Sequence, residues 1–383
     1  MNRQEDVRRF YDQHPYPPPV QSLDDYRRGW DDARRRAEHH LFWPSRPYRD
    51  DPAILVAGCG TSQAAKHAMR WPAAKVTAID LSETSVRSTE RLKRKYDLKN
   101  LDVRQLAIER AGELGARFDL IVCTGVLHHL ADPDAGLRAL ASVLAPHGAM
   151  HLMVYAPYGR AGVYMLQDLC RRLGIEATDD GVRELSRVLE ALPSGHPLER
   201  LLRESPDFRH SDALADALLH PQDRAYSVPQ LFELVANAGI TFGRWLRQAP
   251  YSARCGVVAR VPRLAKLGLA EQYAAVELFR GTMVRHSAIV HHDDTQRVGF
   301  DGEAWRRWVP IRMPDTIHVR GVLIQRAHTF KDLFMPIDAA QKRMIDAVDG
   351  RRTIEDIAGK SGDAARSFFE RLWWQDQVVF ATN

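Results

Sequence analysis

From Asp51 the chain settles into short apolar runs separated by stretches with helical spacing: 54–57, 76–79, 101–106, 120–123 and 149–154. Apolar runs of this length, alternating with helical patterns, predict parallel strands joined by crossover helices. Residues 157–224 interrupt the alternation with three helical stretches, 165–173, 181–192 and 212–219. A connection of that length is too long for a plain loop and predicts an inserted helical cap. The pattern resumes with a helix over 229–237, closed by Gly239, and with strand candidates at 241–246 and 256–261 that bring the strand count to seven.

The segments on either side are different. Residues 1–50 form a polar and aromatic lead containing Phe10, Tyr11, His14 and a proline-rich turn at 15–19. They read either as a helical and aromatic lid segment, with Tyr11 as the residue that closes over a site and excludes water, or as a segment that packs on the surface and anchors the terminus. The arginine-dense stretch 27–36 is interleaved with Asp24, Asp25, Asp31 and Asp32, which marks a solvated helix face rather than a phosphate track. The seven-stranded domain is expected to occupy 51–262, followed by a connecting region over 263–335. Within that region 270–283 is helical, 286–292 is rich in histidine, and tryptophans stand at 305 and 308. The last segment, 336–383, reads as helix 336–348, turn Asp349-Gly350, helix 353–360, helix 364–374 and strand 378–381. This order resembles a winged-helix module, although Asp346, Asp349, Glu355 and Asp356 do not favour DNA. Phe368, Phe369, Leu372, Trp373 and Trp374 make an apolar patch whose ordinary use is burial against a core or against a second copy, so a homodimer is one expectation.

Composition adds limits. With 383 residues, 45% hydrophobic and 27% charged, the chain has room for one large domain and a smaller one. A net charge of +5 carries little information about partners once the interleaved acids are considered. Cys59, Cys123, Cys170 and Cys255 stand far apart with no C-x-x-C pair, which fits neither a disulfide scaffold nor a zinc site and points to a reducing cytoplasm. The N-terminus lacks the apolar core of a signal peptide, and no run approaches a membrane span. His291-His292-Asp293-Asp294 has ligand-type side chains, but neighbours on an extended chain point opposite ways, so it reads as a polar surface turn and no metal is expected.

The chemistry concentrates at 54–62, a buried strand that empties into the turn Gly58-Cys59-Gly60 and then a helix. Glycines there let a ligand approach the backbone, and the helix N-terminus offers free N–H groups. Twenty residues beyond Gly60 a second strand ends at Asp80, a carboxylate placed to accept hydrogen bonds from ribose hydroxyls. The pair indicates a nucleoside ligand. The dinucleotide fingerprint needs a third small residue where this chain has Gln63, which weakens the nicotinamide reading and leaves it open.

Four ordered motifs carry a family resemblance. Val56-Ala57-Gly58-Cys59-Gly60-Thr61 resembles the glycine motif of class I S-adenosylmethionine-dependent methyltransferases, and Thr77-Ala78-Ile79-Asp80-Leu81-Ser82 their acidic motif. Phe118-Asp119-Leu120-Ile121-Val122-Cys123 is similar to their fourth strand, and Leu127-His128-His129-Leu130-Ala131-Asp132-Pro133 and Leu144-Ala145-Pro146-His147-Gly148-Ala149 to the segments after it. The resemblance implies an α/β fold: a seven-stranded Rossmann-like sheet with helices on both faces, carrying the helical insertion and a smaller C-terminal α/β module. It implies S-adenosylmethionine as cofactor, with Gly58, Cys59 and Gly60 around its methionine moiety, Asp80 on the ribose, Leu81 on the adenine, and Cys123 and Thr124 near the sulfonium. Many members bind the adenine amino group with an acid after the third strand; here the run is Gln105-Leu106-Ala107-Ile108-Glu109. The backbone of Ala107 and Ile108 is expected to take that role, with Glu109 as the side-chain alternative. His128 and His129, just beyond the fourth strand, are the candidate bases beside the lid residue Tyr11. The expected activity is methyl transfer to an oxygen or nitrogen, less readily a carbon, of a small molecule or peptide, with neither nucleic acid nor membrane as partner. The alternatives are a catalytically silent S-adenosylmethionine-binding regulator and an NAD-dependent oxidoreductase.

Overall fold

The computed structural model describes residues 3–199, 202, 210–293, 297–359 and 362–383. Its main sheet has seven strands in the order β3-β2-β1-β4-β5-β7-β6. Strands β1 (Ala53–Ala57), β2 (Lys75–Asp80), β3 (Leu101–Gln105), β4 (Phe118–Thr124) and β5 (Leu144–Tyr155) pair in parallel. β6 (Thr241–Trp245) and β7 (Arg285–His291) pair antiparallel. A parallel strand covered on both faces must be apolar on both, and Ile54, Leu55 and Val56 of β1 are all fully buried. Chain order reverses between β1 and β4, so the carboxyl ends of these two strands open a crevice, the usual ligand position in such sheets.

The crossover helices begin where their sequence says they must. Ser82 caps Glu83–Lys95 by accepting from Ser85 N, and Asp132 caps Pro133–Val143 by accepting from Ala135 N, with Pro133 in the first turn. Within 157–224 the helices Ala161–Leu173, Asp179–Glu190 and Ser211–Leu218 share a small core of Val163, Leu166, Cys170, Leu185, Leu214 and Leu218.

Two expectations are corrected. Residues 256–261 are not a strand: Gly256–Arg260 is a 3-10 turn. Gly256 sits at φ +60, and a Cβ there would lie 2.0 Å from the Asp332 carboxylate, which also accepts from Val257 N. The left-handed residue and the carboxylate together end any extended run. The seventh strand is instead β7, in the histidine-rich stretch of the connecting region, and its last residue, His291, opens the segment read as a polar surface turn. Its Ala288-Ile289-Val290 segment is fully buried, and His286 and His291 are buried with it. Histidine's polarity masked a strand whose apolar run is only three residues long. Of the remaining turn residues, Asp294 lies outside the described residues.

The chain divides into two compact units: Met1–Arg27, Asp51–Gly239 and Gly281–His286 form the first, and Arg28–Asp50, Ile240–Arg280 and Ser287–Asn383 the second. In the second, β8 (Val309–Arg312) pairs with β12 (Val378–Ala381), and β9 (Thr316–Val319), β10 (Val322–Gln325) and β11 (Met335–Pro336) make a small antiparallel sheet. Helices Ala339–Asp346, Ile354–Ala358 and Gly362–Trp374 complete it around Trp305, Phe368, Phe369 and Phe380. Phe368, Phe369, Leu372 and Trp373 are therefore interior side chains, which removes the patch as a face for a second copy. Among the described residues, no helix is long and apolar enough to cross a membrane.

Candidate active site

A cavity opens at the carboxyl ends of β1 to β4, and every residue that lines it belongs to the first unit. Gly58, Cys59, Gly60, Asp80, Leu81, Ala107, Ile108, Thr124, His129 and Tyr11 all border it, as does Glu109. Cys123 and His128 do not. Both are fully buried behind the wall, and burial pushes the Cys123 thiol up to about 12, so it stays protonated and inert. Cys59 is likewise held well above the ordinary thiol range by burial.

The glycine turn is built on two left-handed residues, Gly58 at φ +69 and Gly60 at φ +54. The N–H groups of Gly58 and Cys59 both donate to Ile79 O, at 2.9 and 3.0 Å, and so tie the turn to the end of β2. Asp80 locks it from the other side: Gly60 N donates to Oδ2 at 2.8 Å and Ser82 N to Oδ1 at 2.9 Å. Each oxygen keeps lone-pair capacity for a further donor from the cavity. Burial pushes the Asp80 carboxyl up to about 6, against hydrogen bonds from Ser82, Gly60 and Leu81 that stabilise the anion. Apolar side chains of Leu81, Leu106 and Ile108 continue the wall beyond Asp80.

Gln63 explains what replaces the third glycine. Its Nε2 donates to Thr124 Oγ1 at 2.6 Å, a bridge between the helix start and the end of β4. An amide side chain in that place fills the space through which a dinucleotide-binding helix approaches its sheet.

The N-terminal helix Arg3–Gln13 supplies Gln4, Val7 and Tyr11 to the cavity. Its end is fastened to the glycine-aspartate side: Asp12 Oδ1 accepts from Ser82 Oγ at 2.7 Å, and Pro17 O accepts from Thr61 Oγ1 at 2.7 Å. Tyr11 Oη donates to Asp216 Oδ1 at 3.0 Å, so the same helix also reaches the insertion.

His129 also borders the cavity. Its Nδ1 lies 2.8 Å from Gln222 O, and a carbonyl can only accept, so Nδ1 carries the proton and Nε2 keeps its lone pair in the neutral ring. His128, His220 and Tyr155 surround it at ring-centroid distances of 4.2, 3.9 and 5.9 Å. Burial holds His128 and His220 well below the ordinary imidazole range, so both are neutral. Asp216, His220 and Gln222 escaped the sequence reading because they sit in an insertion without a motif, and only the fold brings them to His129.

Potential metal-ligand atoms of His129, Asp216 and His220 lie within 4.8 Å of one another, as do those of His128, His129 and Asp223. In the first group His220 Nδ1 accepts from Gln222 N at 3.0 Å, so its Nε2 holds the proton and has no lone pair for a cation. In the second, Arg160 already stands 3.6 Å from the Asp223 carboxylate. The donor chemistry of the cluster suits protons better than a metal.

Residues 55–150 match the family model described as a methyltransferase domain. An uncharacterized protein of Synechococcus sp. is 35% identical over 245 residues, 62% of this chain and 58% of that protein. The ubiquinone biosynthesis O-methyltransferase of Idiomarina loihiensis is 30% identical over 164 residues, 42% of this chain and 60% of that enzyme. The chain thus spans less than two thirds of either relative. The structure of PKMT2 from Rickettsia typhi in complex with AdoHcy superposes with a TM-score of 0.61 at 14% identity, over 96% of this chain and 77% of that one. Strand order, the glycine-aspartate turn and the matched family model together make 55–150 the core of a class I methyltransferase domain on a Rossmann-like sheet.

Proposed function

We propose that this chain binds S-adenosylmethionine in the cavity and transfers its methyl group to an oxygen or nitrogen of a small molecule or peptide. The observation that carries the reading is the Asp80 carboxylate, fixed by Gly60 N and Ser82 N in the wall of a cavity that His129 also lines. The residues fit the cofactor. Asp80 offers acceptors to ribose hydroxyls, Leu81, Leu106, Ala107 and Ile108 offer a flat apolar wall to the adenine, and the turn at Gly58 and Gly60 leaves no side chain in the way of the methionine part. When bound, S-adenosylmethionine supplies an activated methyl carbon, to which the acceptor atom bonds as the carbon–sulfur bond breaks with its electron pair left on sulfur.

The chain's own contribution is positioning and proton acceptance. His129 Nε2 takes the acceptor's proton, and Gln222 O holds the ring in the tautomer that leaves this nitrogen basic. His128 supports the turn from behind and has no access to the cavity.

Asp80→Ala is expected to weaken S-adenosylmethionine binding by about 1.5–3 kcal/mol, the loss of a charge-assisted hydrogen bond. Calorimetry reads this directly, and unchanged affinity would remove Asp80 from the site. The binding form of Asp80 is the anion, so affinity is full above about 6 and falls as pH drops through that value. Asp80→Asn flattens that limb. His129→Ala should lower turnover by about 10² with cofactor affinity near wild type. The measurement is S-adenosylhomocysteine release with hydroxyl, phenol and amine acceptors. Equal loss of binding and turnover would assign His129 to structure.

A further inference from the structure

We infer that Asp216 of the helical insertion is the counter-ion of His129 and that Tyr11 of the N-terminal helix holds this carboxylate in place, so that the site serves acceptors that must give up a proton. This rests on the reading of His129 as proton acceptor. A carboxylate acceptor arrives already ionised and needs no base; a hydroxyl or an ammonium does.

The charges around His129 lead to the pairing. Its own turn contributes His128, β5 contributes Tyr155, the N-terminal helix contributes Tyr11, and the insertion contributes Arg160, Asp216, His220 and Asp223. His128 and His220 are neutral by burial, and Tyr11 and Tyr155 are held well above the ordinary phenol range, first by burial. Arg160, 3.5 Å over the Tyr155 ring, stands 3.6 Å from Asp223 and matches that carboxylate. Asp216 is the acid left over. It is 3% exposed, accepts from Tyr11 Oη at 3.0 Å, and belongs to no ion pair among the described residues. One of its oxygens lies within 4.8 Å of a ring nitrogen of His129.

An isolated buried carboxylate is costly, and burial pushes Asp216 up, with His129, Tyr11 and Arg160 opposing. A proton arriving at His129 Nε2 makes an imidazolium that removes the imbalance. The Tyr11 hydroxyl acts on the other partner, donating to the carboxylate and so keeping it ionised in a dry site. Asp216 acts through His129 and touches no reacting atom, which makes it a positioning residue.

The test is the ionisation midpoint of His129, read by NMR from the Cε1–H signals of ¹³C-labelled histidines in the full chain loaded with S-adenosylhomocysteine. The His129→Gln spectrum assigns the resonance. Replacing Asp216 by Asn should lower the midpoint by about one pH unit or more, since an opposite charge at this range favours the charged ring. Asp216→Glu should restore most of it. Tyr11→Phe, which removes only a hydroxyl, should move the midpoint the same way and serves if Asp216→Asn does not fold. A midpoint unmoved by either folded variant overturns the proposal. A lowered midpoint together with full turnover of His129→Gln overturns the base reading and the restriction on acceptors, and leaves the ion pair standing.

Discussion

A chain ending at Met335 is expected to lose the folded second unit. The removed segment carries Phe368, Phe369, Leu372, Val378 and Phe380, which pack with Phe300, Trp305, Trp308 and Leu323 in one core. It also carries β12, whose whole register lies against β8, and Thr382, whose N–H donates to Pro44 O at 2.8 Å. Asp376 would go as well. This buried carboxylate accepts from Gln248 N and Ala249 N, each at 3.0 Å, lies 3.2 Å from Arg244 and 3.0 Å from His328 Nε2, and is held below the ordinary carboxylate range by the hydrogen bond to His328 and the charge of Arg244 against the pull of burial. Truncating one buried aromatic costs about 3–5 kcal/mol, and a whole domain is stable by only about 5–15 kcal/mol. Losing four buried aromatics, a strand and a buried charge network exceeds that margin. Near-ultraviolet circular dichroism should lose most of its tryptophan signal, keeping that of Trp71 in the first unit, and the truncated chain should bind hydrophobic dyes or aggregate. A soluble product with a native aromatic spectrum and a cooperative melt would show that the core closes without these residues.

The same contacts explain why the C-terminal apolar cluster carries no message about a partner. Phe369 and Phe380 are fully buried in a single copy, so their hydrophobicity is used up inside the unit. Phe369→Ala, at about 3–5 kcal/mol, should therefore be read as a stability variant.

What the chain discloses before folding follows from how far apart the interacting residues lie. Gly58, Gly60 and Asp80 are legible because each sits at a strand end in a short motif, and the strands around them, β1 to β5, are sequential neighbours or nearly so. β7 was hidden by its flanking histidines, although its buried Ala288-Ile289-Val290 segment is a real strand signal. Gly256–Arg260 has strand-like composition but turns under a contact with Asp332, more than seventy residues away. The helix Asp32–Phe42 lies in the lead yet packs on β12 and β8 at the far end of the chain. Asp216, Tyr11 and His129 come from three separate segments, and no local spacing relates them. Local rules carry local geometry, while charge pairing across an insertion is a property of the tertiary fold.

Gly58→Val is expected to abolish S-adenosylmethionine binding, at least about a hundredfold, while the chain stays folded. The backbone there has φ +69, a conformation that a β-branched residue resists. Space is the harder limit. A Cβ on residue 58 would lie 2.3 Å from Val126 Cγ2 and 2.9 Å from Cγ1, so either the turn unwinds or Val126 is driven back. Val126 follows β4 and itself lines the cavity, so neither escape leaves the ligand's surface intact. Unwinding also breaks the bonds from Gly58 N and Cys59 N to Ile79 O, and with them the register that presents Gly60 N to Asp80. Gly60 makes a useful contrast: its added Cβ would meet Tyr16 O at 3.1 Å and Pro17 Cδ at 3.2 Å, contacts with the N-terminal segment. Gly60→Ala should therefore lose less affinity, because that segment can shift while the β1 turn holds. Calorimetry with S-adenosylhomocysteine, alongside far-ultraviolet circular dichroism to verify the fold, separates the two variants. A folded Gly58→Val chain with wild-type affinity would move the cofactor away from this turn and take the methyltransferase reading of the cavity with it.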